Sequence, residues 1–267
     1  MKLIQLNVWC FNCGDDLLDF VSEQRPDILN LQEVVNPDFE GFGKNVSKQK
    51  NMDYFERLKN SFGFNGVFAP SFGVYNESGS VGYFGNAFLT NLPILDYFYI
   101  YDKPLEIISL NHNIYNSDIN TRRIGSFRLP TNILISVLQI KNITIRNITT
   151  HFHVTEKCTE TLQTVEHAER VCNLLENSKP IPTILSGDFN IHPQSYSIKK
   201  ISEYLEMVNK NCVNSLNPEI HPAIINGDLP NGVVVDYVFQ TGFSVKTVDI
   251  PQITVSDHLP IIVELDI

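Results

Sequence analysis

Apolar residues along this chain fall into short runs of two kinds. Segments rich in Ile, Val, Phe and Tyr occupy residues 2–9, 27–32, 82–89, 94–101, 132–140, 143–149, 182–186, 233–239, 244–250 and 260–265. β-branched and aromatic side chains pack well on a pleated, half-buried surface, so these runs predict strands. Four segments carry helical spacing instead. Residues 15–24 begin after Gly14 and stop before Pro26, and 52–62 form a second candidate. Residues 159–177 are the clearest, with Leu162, Val165, Ala168, Val171 and Leu175 recurring at helical intervals. A shorter one spans 195–207. Residues 66–83, 111–121 and 214–232 read as long loops. No repeat, low-complexity tract or linker divides the chain, so residues 1–267 are expected to form a single domain. Strands adjacent in sequence, mixed with helices, predict an α/β fold of two stacked sheets with helices outside. Long loops at one edge would carry specificity.

Composition narrows the class. The 267 residues are 43% hydrophobic, enough for a sizeable core. No run of eighteen apolar residues occurs, so no membrane span is expected. The first residues run straight into a strand pattern without the apolar core and cleavage site of a signal peptide. Five cysteines cannot all pair with one another. Cys10 and Cys13 form a C-x-x-C with no second ligand pair at short spacing, which disfavours zinc. Free thiols in a reducing, cytoplasmic setting are the expectation. A net charge of −10 argues against tight nonspecific binding to nucleic acid. It does not exclude a nuclease, because a bound cation supplies local positive charge where the phosphate sits. No protein partner is expected.

Candidate chemistry sits at strand ends. In Leu185-Ser186-Gly187-Asp188-Phe189-Asn190 an apolar strand presents a carboxylate and an amide two residues apart. In extended backbone both would face one point, although a strand-ending turn accounts for this run alone equally well. Val255-Ser256-Asp257-His258-Leu259-Pro260 places an acid beside an imidazole before the last strand, again readable as a surface turn. Glu33 ends the apolar strand Asp27-Ile28-Leu29-Asn30-Leu31-Gln32, where a lone exposed glutamate would be ordinary. Asn7 and His151 follow two further strands. Asp236 lies inside the apolar run Val234-Val235-Asp236-Tyr237-Val238-Phe239, a costly position without a partner such as an imidazole. His112, His167, His192 and His221 have no evident partner and are expected on the surface.

Five of these segments, Leu-Asn-Val-Trp, Leu-Gln-Glu-Val, Gly-Asp-Phe-Asn, Val-Asp-Tyr-Val-Phe and Ser-Asp-His-Leu-Pro, occur in the order found in the endonuclease/exonuclease/phosphatase superfamily. The chain resembles that superfamily from Asn7 to Pro260. The resemblance implies a four-layer α/β sandwich, two mixed β-sheets flanked by helices and deoxyribonuclease I-like, with the active site at one edge. It implies that Glu33 binds Mg²⁺ or Mn²⁺ with Asn7 beside it, and that Asp257 binds a second metal or supports the first. It implies that Asp188 orients or deprotonates the attacking water and that Asn190 holds the phosphate or the nucleophile. His258, oriented by Asp236, would contact the phosphate, and His151 would protonate the leaving group or stabilise charge. Arg122 and Arg123 resemble a segment that brings arginine near the phosphate, although a solvated strand end fits them equally.

His151 stands where the exonuclease III branch usually has asparagine, so the chain leans toward the other branches. The expected function is a Mg²⁺- or Mn²⁺-dependent phosphodiesterase or nuclease acting on a phosphate ester, nucleic acid or a nucleotide-like molecule included. A phosphatase or sphingomyelinase-like hydrolase of a small or lipid phosphate is the first alternative. A catalytically inactive binding scaffold is the second. The aromatic residues 68–75 could stack bases or pack against their own domain.

Overall fold

A computed structural model describes residues 1–36, 53–75, 81–109 and 129–267. Arg122, Arg123, His112 and the loop expected over 111–121 lie outside the described residues. The first sheet has seven strands. In spatial order they are β12 (Ser244–Asp249), β13 (Ile261–Asp266), β1 (Lys2–Asn7), β2 (Ile28–Asn36), β4 (Val81–Thr90), β3 (Asn65–Tyr75) and β6 (Glu106–Ser109). The second has six: β10 (Glu206–Met207), β11 (Asp236–Thr241), β9 (Thr183–Asp188), β8 (Ile143–His151), β7 (Asn132–Ile140) and β5 (Ile94–Tyr101). Both sheets are mixed. β1 runs parallel to β2 and β8 runs parallel to β9, whereas β13 and β11 pair with them antiparallel.

Helices cover the outer faces. α1 (Asp15–Gln24) and α2 (Tyr54–Phe62) bury Leu17, Phe20, Phe55 and Leu58 against Ile4, Leu6, Leu29 and Leu31 of the first sheet. α3 (Leu162–Glu176) and α4 (Tyr196–Ser202) bury Ala168, Val171, Ile198 and Ile201 against Ile148, Leu185, Tyr237 and Phe239 of the second. A third cluster joins Leu3, Ile28 and Phe88 to Leu134, Ile145, Ile184 and Val238 between the sheets. The four-layer sandwich that the resemblance implied is therefore the fold.

Several expectations need correction. The segment read as a loop over 66–83 holds all but the first residue of the eleven-residue strand β3, paired with β4 along its length, with residues 76–80 undescribed. Its turn-like glycines serve close packing: a Cβ on Gly66 would lie 2.4 Å from Leu89. Phe72 is buried and Phe68 packs against the core, whereas Tyr75 is exposed. α3 starts later than its apolar spacing suggested, where Thr161 and Thr164 form a reciprocal cap. Its buried face runs through Thr164, His167, Ala168, Val171 and Cys172, while Leu162 is exposed. The segment 214–232 is irregular apart from the short α5 (Pro222–Ile225). All five cysteines are free thiols.

The space between the sheets changes character along the strands. At one end the inward positions are Leu3, Ile28, Ile145, Ile184 and Val238. Two residues further along they are Gln5, Asn30, Asn147 and Ser186, all buried. Asn30 Nδ2 donates to Asn147 Oδ1 at 2.9 Å and to Ser186 Oγ at 2.8 Å. Gln5 and Gln32 exchange amide hydrogen bonds, and Gln32 Nε2 donates to Thr149 Oγ1 at 2.9 Å. Burying amides is tolerable only when they are paired, and here the bonds of Asn30 and of Gln32 to Thr149 cross from sheet to sheet. They fix the register of one sheet over the other. Further along, at the edge, the positions are Asn7, His151, Asp188 and Asp236.

Candidate active site

β1, β8, β9 and β11 end at this polar edge, and each delivers one side chain. Asp188 is the hub. Its Oδ2 accepts from Asn7 Nδ2 at 3.0 Å and lies 3.4 Å from His151 Nε2 and 3.8 Å from His258 Nε2. Its Oδ1 accepts the Asn190 N–H at 2.9 Å. β9 reaches the hub through Gly187, where a Cβ would stand 2.0 Å from the Thr150 carbonyl oxygen of β8. Only glycine allows the two strands to approach so closely there.

Glu33 enters from a bulge. Leu31 pairs with Ala87 and Val34 with Gly85, so Gln32 and Glu33 together face Asn86. The bulge puts Glu33 at φ 55°, a strained value for a non-glycine residue. Asn7 Nδ2 holds its Oε1 at 3.1 Å. Beyond Asn7 the chain passes through three positive-φ residues, Trp9, Cys10 and Phe11. That turn brings the Trp9 N–H back to Asn7 Oδ1 at 3.0 Å. As placed, Asn7 thus turns its NH₂ toward the carboxylates.

Asn190 converges on the site by a different route from the one expected. β9 ends at Asp188, and Asn190 has φ 52° in place of an extended backbone. Its Nδ2 lies 3.0 Å from His151 Nε2 and donates to the Phe152 carbonyl at 3.2 Å. His151 Nε2 therefore has two partners of opposite demand: protonated it donates to Asp188, and neutral it accepts from Asn190. The Thr131 hydroxyl donates to the His151 carbonyl.

His258 Nδ1 and Asp236 Oδ2 lie 2.8 Å apart, both residues buried. Ser215 fixes the acid: its Oγ donates to Asp236 Oδ2 at 2.8 Å and accepts the backbone N–H groups of Val235 and Asp236. Asp236 Oδ1 has no hydrogen-bond partner among the described residues. Ser256 Oγ donates to the Asn7 carbonyl at 2.6 Å, tying the Asp257-His258 segment to β1.

Charge follows from this crowding. Burial pushes the Asp188 carboxyl up, but His258, His151 and Asn7 outweigh it and hold it at about 2. Burial opposes the charged form of His258, yet Asp236 and Asp188 raise it well above the ordinary histidine value. His151 is likewise raised: burial opposes its charge, and the Asp188 hydrogen bond and the charges of Asp188 and Glu33 overcome that. Asp257 goes the other way. Burial first, and then the neighbouring Glu33 against the pull of His258, lift it to about 7.

Glu33 and Asp188 both meet the Asn7 amide, and Asp257 feels the charge of both, so three carboxylates crowd one edge and one of them resists ionisation. Such a donor set fits a hard divalent cation, which oxygen ligands prefer and which relieves mutual repulsion. Sequence reasoning brought Asn7, Glu33, His151, Asp188, Asn190, Asp236, Asp257 and His258 to the site, and the structure does gather them. It missed Ser215 and Ser256, whose hydroxyls sit in loops without a periodic signal. It also misplaced two histidines. His167 is buried, 2.8 Å from Thr150 Oγ1 through Nε2 and packed on Phe152. His221 is half-buried against His258, with ring centroids 5.5 Å apart.

A two-sheet sandwich carrying acids and imidazoles at one edge has the parts of a hydrolytic site. The chain belongs to the Endonuclease/Exonuclease/phosphatase family, whose model matches residues 4–258. Several solved structures share the fold at low identity. A mannosyl-6-phosphatase from Bacteroides thetaiotaomicron VPI-5482 is 15% identical, with TM-score 0.66 and 100% of both chains covered. An endonuclease/exonuclease/phosphatase from Bacteroides vulgatus is 14% identical, with TM-score 0.69, 99% of this chain and 98% of that one covered. The human Nocturnin catalytic domain with bound sulfate is 15% identical, with TM-score 0.61, 100% of this chain and 94% of that one covered. A search of curated proteins finds no match. Among the described residues no helix is long and apolar enough to cross a membrane.

Proposed function

We propose that this protein is a divalent-metal-dependent phosphodiesterase acting on nucleic acid or a nucleotide-like ester. The observation that carries this reading is the convergence of Asn7, His151, Asn190 and His258 on the single carboxylate of Asp188. Glu33 and Asp257 would be the carboxylate ligands of Mg²⁺ or Mn²⁺. Asn7 would join them through Oδ1 by giving up its contact with the Trp9 N–H. The cation would supply Lewis-acid stabilisation of charge on a nonbridging phosphoryl oxygen.

The remaining steps belong to the chain's own groups. Asp188, anionic at neutral pH, accepts a hydrogen bond from the attacking water and aims it at phosphorus. Asn190 steadies that geometry through its backbone N–H on Asp188. His258, held protonated by Asp236, donates to a nonbridging oxygen as the trigonal-bipyramidal charge develops. His151 carries the proton for the departing alkoxide and, once neutral, accepts from Asn190. One P–O bond forms to the water oxygen and one breaks to the leaving group, while the water proton passes to the Asp188 carboxylate and the His151 proton to the departing oxygen.

The test is turnover by the purified chain with Mg²⁺ on single-stranded DNA, RNA, a small bis-ester and a small monoester. Cleavage of a nucleic acid or the bis-ester, abolished in Asp188→Asn, supports the reading. Turnover of the monoester alone replaces it with a phosphatase. No turnover of any substrate, with Asp188→Asn indistinguishable from the parent in binding, returns the inactive scaffold.

A further inference from the structure

One imidazole at the site has no part in the chemistry above. His221 precedes α5, and its Nδ1 accepts the Ala223 N–H at 3.2 Å. A ring nitrogen that accepts carries no proton, so the imidazole is neutral and its hydrogen sits on Nε2. The ring stands edge-on to His258, with 75° between the planes. An imidazole nitrogen of His221, one of His258 and a carboxylate oxygen of Asp257 lie within 4.8 Å of one another. His258 commits Nδ1 to Asp236, so both rings keep Nε2 for the site. Burial, reinforced by the charge of His258, pushes His221 down to about 3, in keeping with a ring that stays neutral.

A cap alone does not account for this arrangement. Asn, Asp, Ser and Thr are the strong capping residues, and a cap does not need its ring against a catalytic histidine. Two imidazoles with ring centroids 5.5 Å apart, each able to reach about 2.8 Å to an oxygen through an N–H, can grip one phosphoryl oxygen together or two oxygens of the same phosphoryl group. We propose that His221 is a second imidazole donor to the substrate phosphate: its Nε2–H bonds a nonbridging oxygen beside the one held by His258. This rests on the phosphoester-hydrolase reading and adds a residue to it. It also makes the 214–232 loop part of the binding surface, so that the loop's position contributes to the affinity for the phosphoryl group.

The experiment separates the cap from the donor. His221→Asn keeps a capping oxygen but is too short to reach the phosphate. His221→Gln restores a longer N–H donor. With Mg²⁺ present, inorganic phosphate binding is measured by calorimetry on the full chain, alongside kcat/KM on the best ester. His221→Asn is expected to melt with the parent, to bind phosphate about tenfold more weakly and to lose about a hundredfold in kcat/KM. His221→Gln should recover most of both. Equal phosphate binding in the parent and His221→Asn overturns the proposal and leaves a cap. Loss of Zn²⁺ binding in His221→Asn with phosphate binding unchanged also overturns it, in favour of a His-Asp-His metal site. If the parent turns over no ester yet phosphate binding depends on His221, the hydrolase reading falls and this inference stands.

Discussion

His258 Nδ1 lies 2.8 Å from Asp236 Oδ2, and that contact leaves Nε2 as the nitrogen turned toward Asp188. Ser215 and the backbone of β11 hold the acid in turn, so the ring has one orientation. Replacing the carboxylate by an amide keeps the shape and removes the charge that keeps His258 protonated. Asp236→Asn is expected to lower kcat by about 10- to 100-fold, as losses of such supporting acids do. The melting temperature should change little, because the amide can still bond Ser215. Unchanged kcat in this variant would dissociate Asp236 from the chemistry.

Glu33 bears on both metal binding and stability. Its charge helps to lift the Asp257 carboxyl to about 7, so without a cation the two acids oppose each other. Glu33→Gln removes that repulsion together with the better metal ligand. The Mg²⁺ concentration giving half-maximal turnover should rise by at least about tenfold. In EDTA the variant should be no less stable than the parent, by thermal melts at neutral pH. A variant that needs no more Mg²⁺ than the parent would remove Glu33 from the metal site.

Much of this was legible in the sequence, for physical reasons that differ between residues. Asp236 stood out because a lone acid in an apolar strand needs a partner, and it has one. Asp188 was visible at the end of an apolar run. Asn190 was expected at the site by strand alternation, but it arrives there through a left-handed backbone. Glu33 was expected at a strand end and instead sits on a bulge within β2, which no composition marks. β3 was hidden because Gly66, Pro70 and Gly73 are the residues of turns, whereas here the glycines admit close neighbours. His221 and Ser215 could not be placed, because their positions depend on how an irregular loop folds back across the site.

Gly187 offers a test of how tightly the site is built. A methyl group there would meet the Thr150 carbonyl oxygen at 2.0 Å, a backbone atom that cannot rotate away. β8 and β9 would have to separate where they carry His151 and Asp188. Gly187→Ala is expected to cost about 1–3 kcal/mol, the usual range for overpacking a close-packed interior. Denaturant melts measure that loss. Activity measured well below the melting temperature should fall too, because the displaced strands carry two of the proposed catalytic groups. A variant with parental stability would mean that the strands part without cost.

A pair behind the site makes stability depend on acidity. Asp102 Oδ2 lies 2.8 Å from His153 Nε2, with the Asp102 side chain 5% exposed. Its Oδ1 accepts the Thr131 N–H at 2.7 Å, and Thr131 in turn holds the His151 carbonyl. Burial raises this carboxyl, but the hydrogen bonds from His153 and Thr131 outweigh it and bring it below the ordinary value. A folded value below the unfolded one gives stability that is present above the unfolded value, about 3.9, and is lost as pH falls through the folded one. Asp102→Asn has no such ionisation. The parent should exceed it by about 1.5–3 kcal/mol at neutral pH, the range for hydrogen bonds to a charged group. The gap should close as pH falls below about 4. Urea melts of both proteins across pH 3–7 measure it, and a gap that stays constant with pH would show that the carboxylate charge contributes nothing. The same substitution should reduce turnover, since the Asp102–Thr131 link reaches the backbone of His151, the proposed proton donor.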